Sequence, residues 1–164
     1  MKLKDLLLES SPGFQEESSA DVKRCMKILS FSEKKMKKVS AIFKREMPKL
    51  NHEAAAVLEI SISEFEKNLE EFCSMFYEFV GNSFSPSAIP SPESLDEEDN
   101  VEEAVMLIEE VVSYLEESQK RFMSYLQKEP ETMQTVDAKK IADGFQEMIE
   151  NIKQIIDIIM EYST

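Results

Sequence analysis

One feature constrains this chain more than any other. Between residues 51 and 80, apolar side chains recur in steps of three and four: Ala55, Leu58, Ile62, Phe65, Leu69, Phe72, Phe76 and Phe79. That rhythm is a heptad seam, which places the apolar side chains on one stripe of a helix. A helix of this length is about 45 Å long. It cannot bury its stripe alone, so it needs partner helices from this chain or another. Tyr77 lies off the line, on a face that can be exposed.

Two further stretches repeat the pattern. After residue 100 the inward set is Val101, Val105, Ile108, Val112, Leu115, Phe122 and Leu126, with Gln119 interrupting it. Asn100 with Glu103 resembles a capping box in which Asn replaces the usual Ser or Thr. The last helix spans about 135–160, with Ile141, Phe145, Met148, Ile152, Ile155 and Ile159 inward. A short connection, KEPETMQT, joins these two and favours an antiparallel pair.

The N-terminal part reads as shorter pieces. Pro12-Gly13 stops a first helical stretch. Ser18 or Ser19 can cap a second, with Val22, Cys25, Met26 and Leu29 inward. Ser32 can cap a third, with Met36, Val39, Ile42 or Phe43, and Met47 inward, ended by Pro48. The expected fold class is all-α: an elongated three- to four-helix bundle with long heptad-patterned helices and short N-terminal helices. The domain reading is a partly helical segment over residues 1–17, then a single bundle domain over 18–164. A Pro- and Ser-rich acidic linker at 81–100 interrupts it. With only 3 Gly and no Trp, the composition disfavours a fold of many tight hairpins.

Charge divides the chain unevenly. The net charge is −14, yet residues 1–50 hold 12 Lys and Arg against 7 Asp and Glu. The acidic remainder argues against nucleic acid as a partner. The basic side chains Lys34, Lys35, Lys37, Lys38, Lys44 and Arg45 cluster on one stretch. They suit an acidic protein, an anionic lipid surface, or the acidic helices of the same chain. Ser85 and Ser91, each before proline, and Ser94, before an acidic run, are candidate phosphorylation sites.

Catalytic constellations are missing. His52 is the only histidine, which leaves no metal cluster. No Glu-x-x-His occurs, so a carboxylate-bridged di-metal site within a bundle is not expected. No phosphate-binding glycine loop or nucleophile elbow is present. Cys25 and Cys73 are too far apart in sequence for a CxxC pair and read as reduced, packed thiols. No apolar run has the length of about 20 residues that a membrane span needs. The apolar part of MKLKDLLLESSPG is too brief for a signal peptide, and a cytoplasmic protein is expected. The expected function is a non-enzymatic protein–protein interaction module, an adaptor or scaffold subunit without cofactor. Its partner would be another protein, acidic or cytoskeletal, or a second copy joined through an exposed seam. A partner surface is expected on the basic helix, or where the linker leaves part of the seam uncovered.

Two stretches carry a family likeness. LNHEAAAVLEISISEFEKNLEEF resembles the helix that opens the C-terminal part of the formin actin-assembly domain. RFMSYLQKEPETMQTVDAKKIADGFQEMIENI resembles the end of that domain. The resemblance matches Ala54, Ala55, Tyr125, Pro130 and Phe145 to structural positions, and implies a cytoskeletal regulator that binds actin or a formin-like partner. The family's tryptophan-bearing lasso has no counterpart here. KKVSAIFKREMPKLNHEAAAVLEIS also resembles the first two helices of a histone fold, but the proline-rich linker stands where its third helix should follow.

Overall fold

The computed structural model describes residues 12–49, 53–80 and 99–163. They form four long helices and one short one: α1 (Pro12–Glu46), α2 (Glu53–Phe79), α3 (Val101–Lys128), α4 (Pro130–Met133) and α5 (Val136–Ser163). A 3-10 turn, Met47–Lys49, follows α1. No strand occurs among the described residues, so the fold is all-helical.

The expected short N-terminal helices are instead one helix of 35 residues. Pro12 begins it, because the first helical position needs no amide hydrogen bond, and the first helical stretch expected before it lies outside the described residues. Ser18, Ser19 and Ser32 lie within it rather than at helix starts. The reason is visible at two serines. Ser30 Oγ donates to the Lys27 carbonyl at 2.7 Å, and Ser32 Oγ donates to the Ile28 carbonyl at 3.0 Å. Both hydroxyls thus bond back to the preceding turn, and the helix continues. The proposed break between residues 17 and 18 falls inside this helix as well.

Each long helix touches two of the others. α1 packs on α2 and α3, and α5 packs on the same two. Neighbours run antiparallel. Along α1 and α3, Cys25 meets Ser118, Lys35 meets Glu110 and Arg45 meets Asp99. Along α2 and α5, Phe72 stacks on Phe145 while Phe79 and Ile141 line one hollow. α1 contributes its own buried side chains to the shared core.

The α1–α3 seam is built from small residues. Cys25, Ser32 and Val39 recur every seven residues on α1, as do Ala104, Val111 and Ser118 on α3, and all six are fully buried. The Cys25 thiol donates to the Ser118 carbonyl at 3.1 Å, which requires close backbones. Ser118, not Gln119, is the polar residue in this seam. Gln119 lies at the edge and donates to Gln146 of α5 at 3.0 Å. Val101, Val105 and Val112 are only half-buried, because α3 must satisfy α1 and α5 with two different faces.

The other three helices meet in a cluster of rings. Phe122 of α3 lies 5.7 Å from Phe76 and 5.6 Å from Phe145, and Phe72 lies 4.7 Å from Phe145. Edge-to-face and tilted rings at such distances add to the burial of their area. Tyr77 is buried rather than exposed, facing α1. The expected Asn100 cap is present, and Thr135 provides a second that was not read from the sequence. Asn100 Oδ1 accepts from the Glu103 amide, and Thr135 Oγ1 accepts from the Ala138 amide, each at 3.1 Å.

Candidate functional site

The basic segment of α1 is largely turned inward. Lys35 pairs with Glu110 at 3.3 Å, and Lys38 pairs with Asp99 at 3.7 Å with both side chains about nine-tenths buried. Arg45 pairs with Glu46 at 3.1 Å and donates from Nη2 to the Asp99 carbonyl. Lys34 and Lys37 are half-buried, with Lys37 near Glu33, and Lys44 is exposed at the end of the helix. Further along the same seam, Asp21 of α1 pairs with Lys128 at 3.0 Å and with Arg121 at 3.6 Å. The six cations therefore do not form one outward patch. Ser85, Ser91, Ser94 and His52 lie outside the described residues.

Between α1 and α2 sits a buried polar row: Glu33, Cys73 and Tyr77. Burial raises the Glu33 carboxyl above its ordinary value, while the Cys73 thiol and the Lys37 charge hold it down and Glu70 adds to the rise. Burial, reinforced by Glu33, raises the Cys73 thiol well above its usual range. Cys25 is pushed up to about 12, first by burial and then by Asp21. Both thiols are free and protonated at neutral pH, so they act as packed donors rather than nucleophiles. Beside this row, Ser40 donates to the Glu66 carboxylate.

The opposite side of α2 is different. Along its seam with α5 lie two hollows, which together outline an interrupted groove. One hollow, of about 500 Å³, is lined by Met75, Glu78 and Phe79 of α2, Thr132 and Thr135 beside α4, and Asp137, Lys140 and Ile141 of α5. The other, of about 190 Å³, is lined by Ser61, Glu64, Phe65 and Asn68 of α2 and by Asn151, Gln154, Ile155 and Ile158 of α5. Between them Phe72 presses against the Gly144 backbone. A Cβ at Gly144 would stand 2.6 Å from Phe72 Cε1, so only glycine permits this approach. The helices pinch at Gly144, and the two hollows lie on either side of that contact.

Apolar residues stand exposed along this face. Val57, Ile60 and Met75 of α2 are open to solvent, as are Met133 and Val136 beside the larger hollow. The face is also acidic. α2 carries seven glutamates against Lys67 alone, and α5 carries six acids against three lysines. No ion pair among the described residues reaches a carboxylate of α2. Lys35 of α1 pairs with Glu110 of α3, and Lys38 with Asp99 just before it. Sequence reasoning missed the groove because its lining mixes polar and apolar types. Gly144, alone inside a strongly periodic helix, was the signal that could have marked it.

Among the described residues, no group of three or more His, Cys, Asp or Glu is placed to hold a metal ion. No described helix is long and apolar enough to cross a membrane. The arrangement offers two hollows of mixed polar and apolar lining, with exposed glutamates on α2 beside them. No protein-family model matches the chain, and no curated protein and no solved structure is significantly similar to it.

Proposed function

We propose that the chain is a non-enzymatic, helical-bundle interaction module, an adaptor or scaffold subunit of a larger assembly, and that its partner docks on the α2/α5 face. One observation carries this reading. Lys35, Lys38 and Arg45 of α1 are engaged within the fold, whereas the α2/α5 face keeps two open hollows, the exposed Val57, Ile60 and Met75 and a line of exposed glutamates. Methionine surfaces adapt readily to a partner's shape, and an apolar trough between two helices is a common seat for a third. The heptad spacing of α2 and α5 suits the same use, since a seam left partly open can accept another helix.

The test is site-specific photo-crosslinking in the native cell. A photo-reactive residue at Asn68 or Met75 is expected to trap a discrete protein adduct. The same residue at Lys23 or Lys120, on α1 and α3, should trap none. Equal capture at all four positions, or none at the groove, would refute the assignment.

A cytoskeletal reading is the second proposal. The Glu129-Pro130 turn joins two antiparallel helices, and Tyr125 and Phe145 both pack against Phe122. That order of ring, acidic-Pro turn and closing helix is the one shared with the formin domain. Pelleting with actin filaments at low salt tests it: co-sedimentation supports the reading, and a protein left in the supernatant removes it.

A further inference from the structure

We infer that the α2/α5 groove receives a basic amphipathic helix from a partner protein. The inference rests on the interaction reading above and adds the chemistry of the partner.

The length argues for a helix. From Ser61 to Phe79 the groove follows α2 for about 27 Å, the span of roughly five helical turns. The floor offers apolar contact at its two ends, through Met75 and Phe79 in one hollow and Ile158 in the other, so the occupant needs one apolar stripe and not two. The pinch at Gly144 divides that floor, which suits large side chains at the two ends and a small one at the centre.

The rim sets the charge. Glu64, Glu71 and Glu78 are seven residues apart, fall on one line of α2, and are all exposed. Glu64 and Glu78 line the two hollows directly. Across the groove Glu147 and Asp143 are exposed on α5, with Lys140 the nearby cation. A helix flanked by Lys and Arg would meet both rims with opposite charge, gaining on-rate and orientation. A second copy of this face would bring glutamates against glutamates. An anionic membrane or a nucleic acid would be repelled likewise. The internal precedent is α1, whose Lys35 is met by Glu110 of α3 and whose Lys38 is met by Asp99 just before that helix.

The experiment uses the full chain and three fluorescein-labelled synthetic peptides of about 20 residues, the length the groove accepts. One has Leu at heptad a and d positions with Lys and Arg on its flanks. The second is a scramble of it. The third replaces every Lys and Arg with Glu. Fluorescence anisotropy at low salt is expected to give saturable one-to-one binding of the first peptide. Its affinity should exceed that of the other two by about tenfold or more, from apolar register and charge together. The E64Q/E71Q/E78Q variant should lose about tenfold, each rim charge adding a fraction of that. The E102Q/E109Q/E116Q variant, which removes the same charge along α3, should stay within about twofold of the parent. Circular dichroism of both variants checks that they fold. Equal binding of the scramble, equal binding of the acidic peptide, or equal losses in the two variants would overturn the inference. Crosslinking at Asn68 to a partner segment that is not basic would also overturn it, while leaving the interaction reading intact. A groove-dependent dimer at micromolar concentration would assign the face to a second copy instead.

Discussion

Replacing Gly144 with Ala sets two effects of opposite sign against each other. In an ordinary helix interior the change stabilises by about 1 kcal/mol, because Ala loses less backbone freedom on folding. Here the new Cβ would stand 2.6 Å from Phe72 Cε1 and 2.7 Å from Cδ1. Non-bonded carbons settle at roughly 3.5–4.0 Å, so the ring must retreat by about 1 Å. It has little room. Phe72 is only 4% exposed, and its ring lies 4.7 Å from Phe145. Overpacking of this kind costs about 1–3 kcal/mol. The sum is a net loss near 1 kcal/mol, or a drop of about 2–4 °C in Tm for a chain of this size. Urea unfolding followed by circular dichroism should show a lower midpoint with an unchanged m value. A second variant isolates the cause. In an F72L background the ring is gone, so G144A should become stabilising, a coupling of about 1–3 kcal/mol between contacting sites. Stabilisation by G144A alone, or no coupling with F72L, would refute the account of this contact.

Other substitutions separate the remaining elements. K38A breaks a buried pair with Asp99 and should cost about 3 kcal/mol, whereas K35A, whose partner Glu110 is half-exposed, should cost under about 1 kcal/mol in the same denaturant titration. Ser118 Oγ is buried with no hydrogen-bond partner among the described residues, so S118A should be neutral or stabilising by about 1 kcal/mol, while S118L should destabilise by forcing α1 from α3. F122A removes the ring that Phe76, Phe79 and Phe145 share and should cost about 3–5 kcal/mol by thermal or urea unfolding. Glu33 gives a pH signature. Its carboxyl is raised in the fold, so the native state holds its proton more tightly than the unfolded chain. Its contribution therefore diminishes as pH rises from the ordinary carboxyl value of 4.5 through the raised one. E33Q, which cannot ionise, should flatten that part of the stability–pH curve; an unchanged slope would show that another group sets it.

The helices of the C-terminal two thirds are legible because their core positions are apolar at helical spacing. Ile62, Phe65, Leu69, Phe72 and Phe76 are buried as their period requires, as are Ile141, Phe145, Ile152 and Ile155. α1 reads poorly for a physical reason. Its buried face includes Asp21, Ser30, Ser32, Glu33 and Lys38, residues that look like caps or solvent-facing positions. Their partners lie on other helices or one turn back, at distances no local pattern contains. Tyr77 is buried for the same reason, since its neighbours Glu33 and Cys73 come from two different helices. The basic stretch was visible as charge, but its engagement by Asp99 and Glu110 depends on the antiparallel register of α1 and α3. The groove was the least visible feature. It follows from a helix pair held close at one glycine, with Ser61, Asn68 and Asn151 lining the hollow on one side of it.

The central claim is that the α2/α5 groove is the partner surface. The side-chain amides of Asn68, Asn151 and Gln154 lie along it, while those of Asn100 and Gln119 lie elsewhere. A nitrogen-15 NMR titration of the full chain with the basic amphipathic peptide reads all five at once. The account predicts that Asn68, Asn151 and Gln154 shift together, in proportion to occupancy, while Asn100 and Gln119 stay in place. Shifts confined to Asn100 and Gln119, or spread evenly over all five, would contradict it.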